Sequence, residues 1–370
     1  MSLDGISAAW DRLAARAPQG LPHLSHAWVS SYLETIGEGR PWAVHAAFAG
    51  DELVGVLPLV GVRGGGPGVR RAIVGPPRDD HTRSGDALLE PAVAPMALRA
   101  LLDSVATEEP GCFALSLRGV RDRSPTIAAL IGRQPFGVVV SRPDERGSYV
   151  AVERGLADFR AGLSDNFRRN VRKASNRLAK SPGTNFRWDV GPAADSTGLE
   201  AFLAVEASGW KGRAGSAISL DPVLSRFYRT LTPRLARLGW LEWHRLEIEG
   251  RTAAIHFATR LGRSLVLIKI AYDEAFARLG PGNLLFDRVV EREFEARTVD
   301  EINCMTDMPW HRNWELSRSD YADISLYPRR AFPLVAGVLP ARAKAALKRV
   351  PLVRAFLDRR HRVRPPGADA

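Results

Sequence analysis

The chain has 370 residues, 45% of them apolar and 25% charged, which is the balance of an ordinary folded protein with enough length for two cores. Its net charge of +11 is concentrated: eleven Lys/Arg face two Asp between Arg329 and Ala370, leaving 41 basic against 39 acidic residues in the body. A near-neutral body argues against a sequence-specific nucleic-acid-binding fold. Two cysteines without a spacing pattern, Cys112 and Cys304, argue against a disulfide framework or a zinc site. The opening MSLDGISAAWDRLAARAP lacks the apolar run of a signal peptide, and no stretch approaches the ~20 apolar residues of a membrane span. A cytoplasmic protein is expected.

In chain order, residues 1–40 read as helices: Trp10, Leu13 and Ala14 have helical spacing, and HAWVSSYLETIG ends at Gly37. WAVHAAFA and ELVGVLPLV, separated by Gly50-Asp51, form a hairpin pattern. After the glycine-rich RGGGPGV come a strand in VRRAIVGPP, an amphipathic helix in PMALRALLDSVA and a strand in CFALSLRGV. The second half repeats that plan. LADFRAGLSDNFRRNVRKASNRLAK predicts two helical pieces, with Ser164 as a cap at the break. A strand in SPGTNFRWDV and helices in LEAFLAVEASGW and SRFYRTLTPRLARLG follow. WLEWHRLEIE, RTAAIHFATR and RSLVLIKIAYD, joined by short Gly turns, predict an antiparallel meander. The loop EAFARLGPG then leads into the helix NLLFDRVVEREFEA and the strand VDEINCM.

The two hairpins align at an offset of 200 residues, Gly50 falling on Gly250. With the later elements in similar order, this points to an internal repeat. The expected fold class is α+β (mixed α/β): tandem units, each a mixed, mostly antiparallel sheet flanked by helices. The expected limits are residues 1–150, residues 151–328 and a basic tail over 329–370.

The passage from Ser264 to Glu293 is where chemistry is expected. It runs strand, then Gly280-Pro281-Gly282, then a helix beginning near Asn283. The first turn of a helix has free backbone N–H groups and a partial positive charge, and glycine lets a phosphate approach them. Many helices follow a glycine loop with nothing bound, so the order of the surrounding elements decides. A three-strand meander, this loop and helix, and one more strand is the order of the GNAT core.

Residues 155–327 resemble the GNAT-type acyltransferase domain labelled cellulose-biosynthesis CelD-like, which is related to the FemABX peptidoglycan aminoacyltransferases. The resemblance rests on Phe167 through Ala174, Gly209 through Ser216, Ala254-Ile255-His256-Phe257, Lys269 through Asp273, Leu279 through Gly282, and Asp307 through Trp314. It implies acetyl-CoA or another acyl-CoA as co-substrate and no metal. The donor's diphosphate would lie at Gly280, Gly282 and Asn283, and its pantetheine beside Lys269, Ile270 and Ala271. The loop departs from the usual Gln/Arg-x-x-Gly-x-Gly/Ala pattern: Arg278 is two residues before Gly280, and Pro281 removes an N–H. An aminoacyl-tRNA donor, as in the Fem relatives, stays open.

Each candidate side chain has two readings. His256 alternates with Ile255 and Phe257 and could take the acceptor's proton, or be a satisfied core histidine. Glu206, one helical turn before Trp210, is a candidate proton acceptor or a surface acid, and Asp307 could act as base or hold an acceptor amine. Lys269 is out of place in LVLIKIAY and could contact donor or acceptor, while Asp273 could orient it or cap the loop. Trp210, Lys211, Arg213 and Trp310 are candidates for an acceptor pocket. Arg168 and Arg172 share a helix face and could bind phosphate, or be solvated.

The tail alternates apolar and basic residues and could lie on anionic lipid at the inner membrane face, dock, or be solvated. Together these features predict an acyltransferase acting on an amine or hydroxyl of a sugar, glycan or cell-envelope precursor. A Fem-like aminoacyl transferase and a non-catalytic GNAT-like binding protein are the alternatives. Direct attack on a thioester needs proximity, a proton acceptor and an N–H for the oxyanion, in keeping with the lack of a G-x-S-x-G, HExxH or Walker A motif.

Overall fold

Apolar periodicity and turn chemistry translate into structure along most of the chain. The computed structural model describes residues 3–62, 72–130, 136–143, 146–153, 155–330 and 333–339. The glycine-rich run after Val62 and nearly all of the basic tail lie outside them. The helices are α1 (Ser7–Arg16), α2 (His26–Leu33), α3 (Ala94–Glu108), α4 (Pro125–Ala129), α5 (Leu156–Gly162), α6 (Asp165–Leu178), α7 (Ser196–Ser208), α8 (Trp210–Arg213), α9 (Pro222–Arg237) and α10 (Pro281–Ala296). The strands are β1 (Trp42–Ala49), β2 (Glu52–Val62), β3 (Ile73–Gly75), β4 (Leu88–Leu89), β5 (Ala114–Arg121), β6 (Phe136–Ser141), β7 (Arg146–Ala151), β8 (Asn185–Val190), β9 (Leu241–Ile248), β10 (Arg251–Leu261), β11 (Ser264–Tyr272), β12 (Glu301–Asn303) and β13 (Ser317–Pro328).

The chain divides into two compact units. One comprises Met1–Gly39 with Asp144–Tyr321, the other Arg40–Pro143 with Ala322–Ala370. The grouping therefore differs from a simple cut near residue 150, for a physical reason. Trp10 and Trp28 of α1 and α2 are fully buried, and Trp28 meets Phe227 of α9 edge-on at 5.5 Å. Arg234 of α9 donates to the hydroxyls of Ser30 and Ser31 (2.9 and 3.1 Å) and forks onto the Glu34 carboxylate at 2.8 Å.

Within the unit that holds Asp144–Tyr321, the strands run in the order β7-β12-β11-β10-β9-β8. β9, β10 and β11 form an antiparallel meander, and β12 runs parallel to β11 after the crossover through α10. The inner face of α10 (Phe286, Val289, Val290, Phe294) packs on Ala258, Leu265, Leu267 and Ile302. On the opposite sheet face Phe257 stacks on Trp243 at 4.8 Å and meets Tyr228 of α9 at 5.7 Å. α6 starts where the Ser164 hydroxyl accepts the Phe167 N–H, and its Val171, Ala174 and Leu178 close over Leu246, Ala254 and Leu284.

The other unit has antiparallel pairing of β1 with β2 and of β2 with β3, then β3 parallel to β5 with α3 between them. α3 buries Ala97, Leu98, Leu101, Leu102 and Val105 against Leu57, Leu59, Leu115 and Leu117. Hairpin, third strand, helix and parallel strand thus occur in the same order in both units. The matched turn glycines, Gly50 and Gly250, have φ of 60° and 74°, a region costly for other residues. The architecture is a mixed α/β fold with mixed sheets flanked by helices.

Candidate active site

The bend before α10 has the backbone chemistry expected of it. Gly280 is left-handed (φ 64°, ψ 46°), and Leu284 N–H donates to its carbonyl at 3.1 Å as the helix begins. No side chain caps this end, and Pro281 has no N–H, so the amides of Gly282 and Asn283 are the free donors of the first turn. Beside the bend is a cleft of about 230 Å³. α6 lines it with Phe167, Asn170, Val171, Ala174 and Arg177, and the bend lines it with Arg278, Gly280 and Asn283. Asn283 is oriented by Trp314, whose indole N–H donates to its Oδ1 at 3.2 Å. Trp314 is fully buried between Phe286 (4.8 Å) and Phe167 (5.0 Å), so one indole ties α6, α10 and the turn Pro309–Trp314 together.

The two parallel strands that lead to and from α10 pair over three positions, Ser264–Val266 with Glu301–Asn303. Beyond Val266 that edge of β11 has no partner in β12, and Ile268 is an extra residue against β10, a bulge at the point of divergence. Past the bulge the strand emerges: Leu267 and Ile268 are buried, whereas Ile270 and Tyr272 are exposed. Tyr272 reaches the bend; its Cδ1 lies 3.7 Å from where a side chain on Gly282 would begin.

Because β11 and β12 are parallel, the segment after β12 emerges at the same sheet edge as Ile270 and Tyr272. Met305 adopts φ 59°, unusual for a residue with a side chain, and its N–H is held by Asn303 Oδ1 at 2.8 Å. This turn presents Asp307. Its Oδ1 accepts the Ser148 hydroxyl at 2.9 Å, and its Oδ2 lies 3.3 Å from Arg318 Nε. Gly147 is required beside it: a Cβ there would fall 2.4 Å from the Tyr321 hydroxyl, which donates to Met305 O at 3.0 Å. Two residues beyond Asp307 begins the turn with Trp310, half-buried against Phe286 at 5.3 Å and against His311 at 4.2 Å. Burial pushes the His311 imidazole down to about 4, so it is neutral and accepts Met308 N–H at Nδ1.

The remaining sequence candidates fall in several places. His256 is 2% exposed, under α10, edge-on to His244 at 5.9 Å; burial, with the neighbouring His244, holds it well below the ordinary histidine range. Glu206 is also buried, and both oxygens are engaged, one by Lys211 Nζ at 2.7 Å and one by Ile218 N–H at 2.9 Å. Arg213 and the Trp210 N–H both bind Glu274, two residues past β11, and the Trp210 ring is exposed, with Lys211 Nζ 6.0 Å from its centre. Asp273 caps the turn after β11 by accepting Ala275 N–H and pairs with Arg251 at 2.6 Å. Lys269 and Ala271 are half-buried on the sheet face of Phe257, opposite to Ile270. Arg168 is bound to Asp165 of its own helix, and Arg172 is exposed; neither lines the cleft, which takes Arg177 instead.

Asn170, Arg177, Ser148 and Arg318 escaped sequence reasoning as site residues. Arg177 was within reach, since it shares a helix flank with Asn170 once the apolar stripe Phe167, Val171, Ala174 is drawn. Ser148 was not: it lies 159 residues from Asp307 in a strand of ordinary composition.

This geometry agrees with comparisons to known proteins. Residues 165–312 match the model of the acetyltransferase (GNAT) domain family. The segment is a GNAT-fold acyltransferase domain. Among solved structures, FemX is similar with a TM-score of 0.60 at 12% identity, over 90% of this chain and 98% of FemX. The C-terminal domain assigned to a lysylphosphatidylglycerol synthetase of Agrobacterium fabrum gives 0.56 at 10% identity, over 90% and 95%. L-PGS from Bacillus licheniformis gives 0.51 at 13% identity, over 85% and 95%. At such identities the likeness is one of fold. No curated protein matches the chain. Among the described residues no group of three or more His, Cys, Asp or Glu is placed to hold a metal ion, and no helix is long and apolar enough to cross a membrane.

Proposed function

We propose that this acyltransferase uses an acyl-CoA, acetyl-CoA in the simplest case, and transfers the acyl group to an amine or hydroxyl of a sugar, glycan or cell-envelope precursor. The observation that carries the reading is the divergence of β11 from β12 at the Ile268 bulge, directly before a helix whose first amides open onto a cationic cleft. The residues present fit the donor. Gly282 and Asn283 N–H with Arg278 suit a diphosphate. The unpaired backbone of β11 from Leu267 onward suits the amides of a pantetheine arm. Acyl-CoA would supply a thioester as the electrophile.

The chain's own part is to orient the acceptor and take its proton. Asp307 is the group we assign to this, because it is accessible, lies at the edge where the strands part, and is fixed by Ser148 and Arg318. The exposed ring of Trp210, anchored through Glu274, would offer a flat apolar wall for a sugar face. Calorimetric titration of the full chain with CoA tests the donor assignment: binding at micromolar levels is expected, and its absence sinks the reading.

A second reading is a Fem-type aminoacyl transfer, favoured by the extent of the likeness to FemX and to the synthetase domain. Indifference to CoA combined with binding of aminoacyl-tRNA is the result that would favour it.

A further inference from the structure

Ion pairing is the habit of the arginines around the candidate site. Arg160 faces Asp287 and Glu291, Arg213 faces Glu274, Arg251 faces Asp273, and Arg288 faces Glu291. Several cations of α6 break that habit, and three of them line up, whereas the likewise exposed Arg172 stands on another flank. Arg169, Lys173 and Arg177 succeed one another at i, i+4 and i+8 on α6, so they form a single ridge about 12 Å long. All three are exposed, and neither they nor Arg278 makes an ion pair among the described residues. The ridge ends in the cleft: Arg177 lines it with Asn170, facing the bend that carries Arg278. Four unpaired cations exceed what the two charges of a diphosphate would neutralise, and α6 exposes no large apolar side chain that could enter a bilayer. The surplus fits a second phosphate group on the same ligand.

We propose that the ridge Arg169, Lys173 and Arg177 receives the 3′-phosphate of CoA and makes the enzyme select CoA over its dephospho form. The inference rests on the acyl-CoA reading of the site and deepens it. The bend holds the diphosphate through backbone amides, which discriminate little between nucleotides. Selectivity for the phosphomonoester falls to side chains that supply charge at a distance along α6, where Arg can fork onto phosphate oxygens and Lys can act as a point charge.

The test is calorimetric titration of the full chain with CoA and with 3′-dephospho-CoA, at two salt concentrations. The expected result is at least tenfold tighter binding of CoA, with the difference shrinking at high salt. In Arg169→Gln/Lys173→Gln, which leaves the cleft's own Arg177 and Arg278 in place, the preference for CoA should fall at least fivefold, with dephospho-CoA bound at the affinity the native chain has for it. Arg226→Gln, the same kind of charge change on α9, should leave the ratio intact, and circular dichroism checks that each variant is folded. Equal binding of the two ligands by the native chain overturns the proposal while leaving the donor reading in place. Failure of both ligands to bind removes the donor reading itself. Displacement of CoA by tRNA, lost in the double variant and without any preference over dephospho-CoA, would make the ridge an RNA contact and overturn the proposal too.

Discussion

At the residue scale, the sharpest expectation concerns Asp307. If it takes the acceptor's proton, Asp307→Asn should lower kcat by about 10²–10⁴-fold. Its donor affinity should stay unchanged, because the bend and cleft are untouched. Ser148→Ala removes one hydrogen bond to the carboxylate and should cost about tenfold in kcat. Steady-state kinetics with a fixed acceptor reads both, and an Asp307→Asn enzyme of native kcat would end the assignment. Two histidines make a separate prediction about pH. His256 and His311 are both held below their ordinary value, chiefly by burial, His311 to about 4. Below the unfolded-state value of about 6.5, the unfolded chain takes up protons that these folded imidazoles refuse. Their contribution to stability is therefore complete above that pH and lost progressively as pH falls from there toward 4. Denaturant midpoints measured from pH 8 to pH 5 should fall, and His311→Gln should flatten the slope.

At the element scale, α10 is the part on which the site turns. A carboxylate network lies beneath it. Arg260 binds Glu242 at 2.5 Å and Glu293 of α10 at 2.8 Å, and Glu242 accepts from His244 at 2.9 Å. Although burial opposes ionisation, the hydrogen bonds and charges of His244 and Arg260 hold Glu242 down at about 2. Arg260→Ala would leave Glu293, 1% exposed, without its cation, and Glu242 with only His244 and the more distant Arg292 (3.6 Å), at a cost of about 3–5 kcal/mol. Arg260→Met with Glu242→Gln and Glu293→Gln should lose much less. Chemical denaturation of both variants distinguishes a buried charge left alone from a simple loss of packing. At the other end of the helix, Gly280→Ala meets no neighbouring atom within 4 Å, so the penalty is conformational. About 1–2 kcal/mol is expected from the left-handed backbone, together with weaker CoA binding as the bend relaxes.

At the scale of the whole molecule, the unit that holds the site is discontinuous in sequence. Met1–Gly39 belongs with Asp144–Tyr321, and Phe227 and Arg234 of α9 need Trp28, Ser30, Ser31 and Glu34 as partners. Deleting residues 1–39 should therefore strip near-UV circular dichroism and cooperative unfolding from the rest, although the matched segment 165–312 stays complete. A cooperative transition in the shortened chain would show that the grouping is dispensable.

The features legible in the residues alone were local. Periodicity, Ser164, the Gly50 and Gly250 turns and the Gly280 bend are set by neighbours a few positions apart, and each determines its own backbone geometry. The repeat and the meander were legible for the same reason. Side-chain roles were not, because they depend on partners distant in sequence. Glu206 and Asp307 are both acids in plausible places, yet one has its carboxylate filled by Lys211 and Ile218 while the other is left accessible beside Ser148. Burial of His256 and the grouping of the first helices with the second half are likewise decided by tertiary packing, whereas the flank shared by Asn170 and Arg177 could be drawn from the apolar stripe of α6. A helix face or a buried ring acquires its environment from the elements that close over it, and one-dimensional pattern carries no record of that.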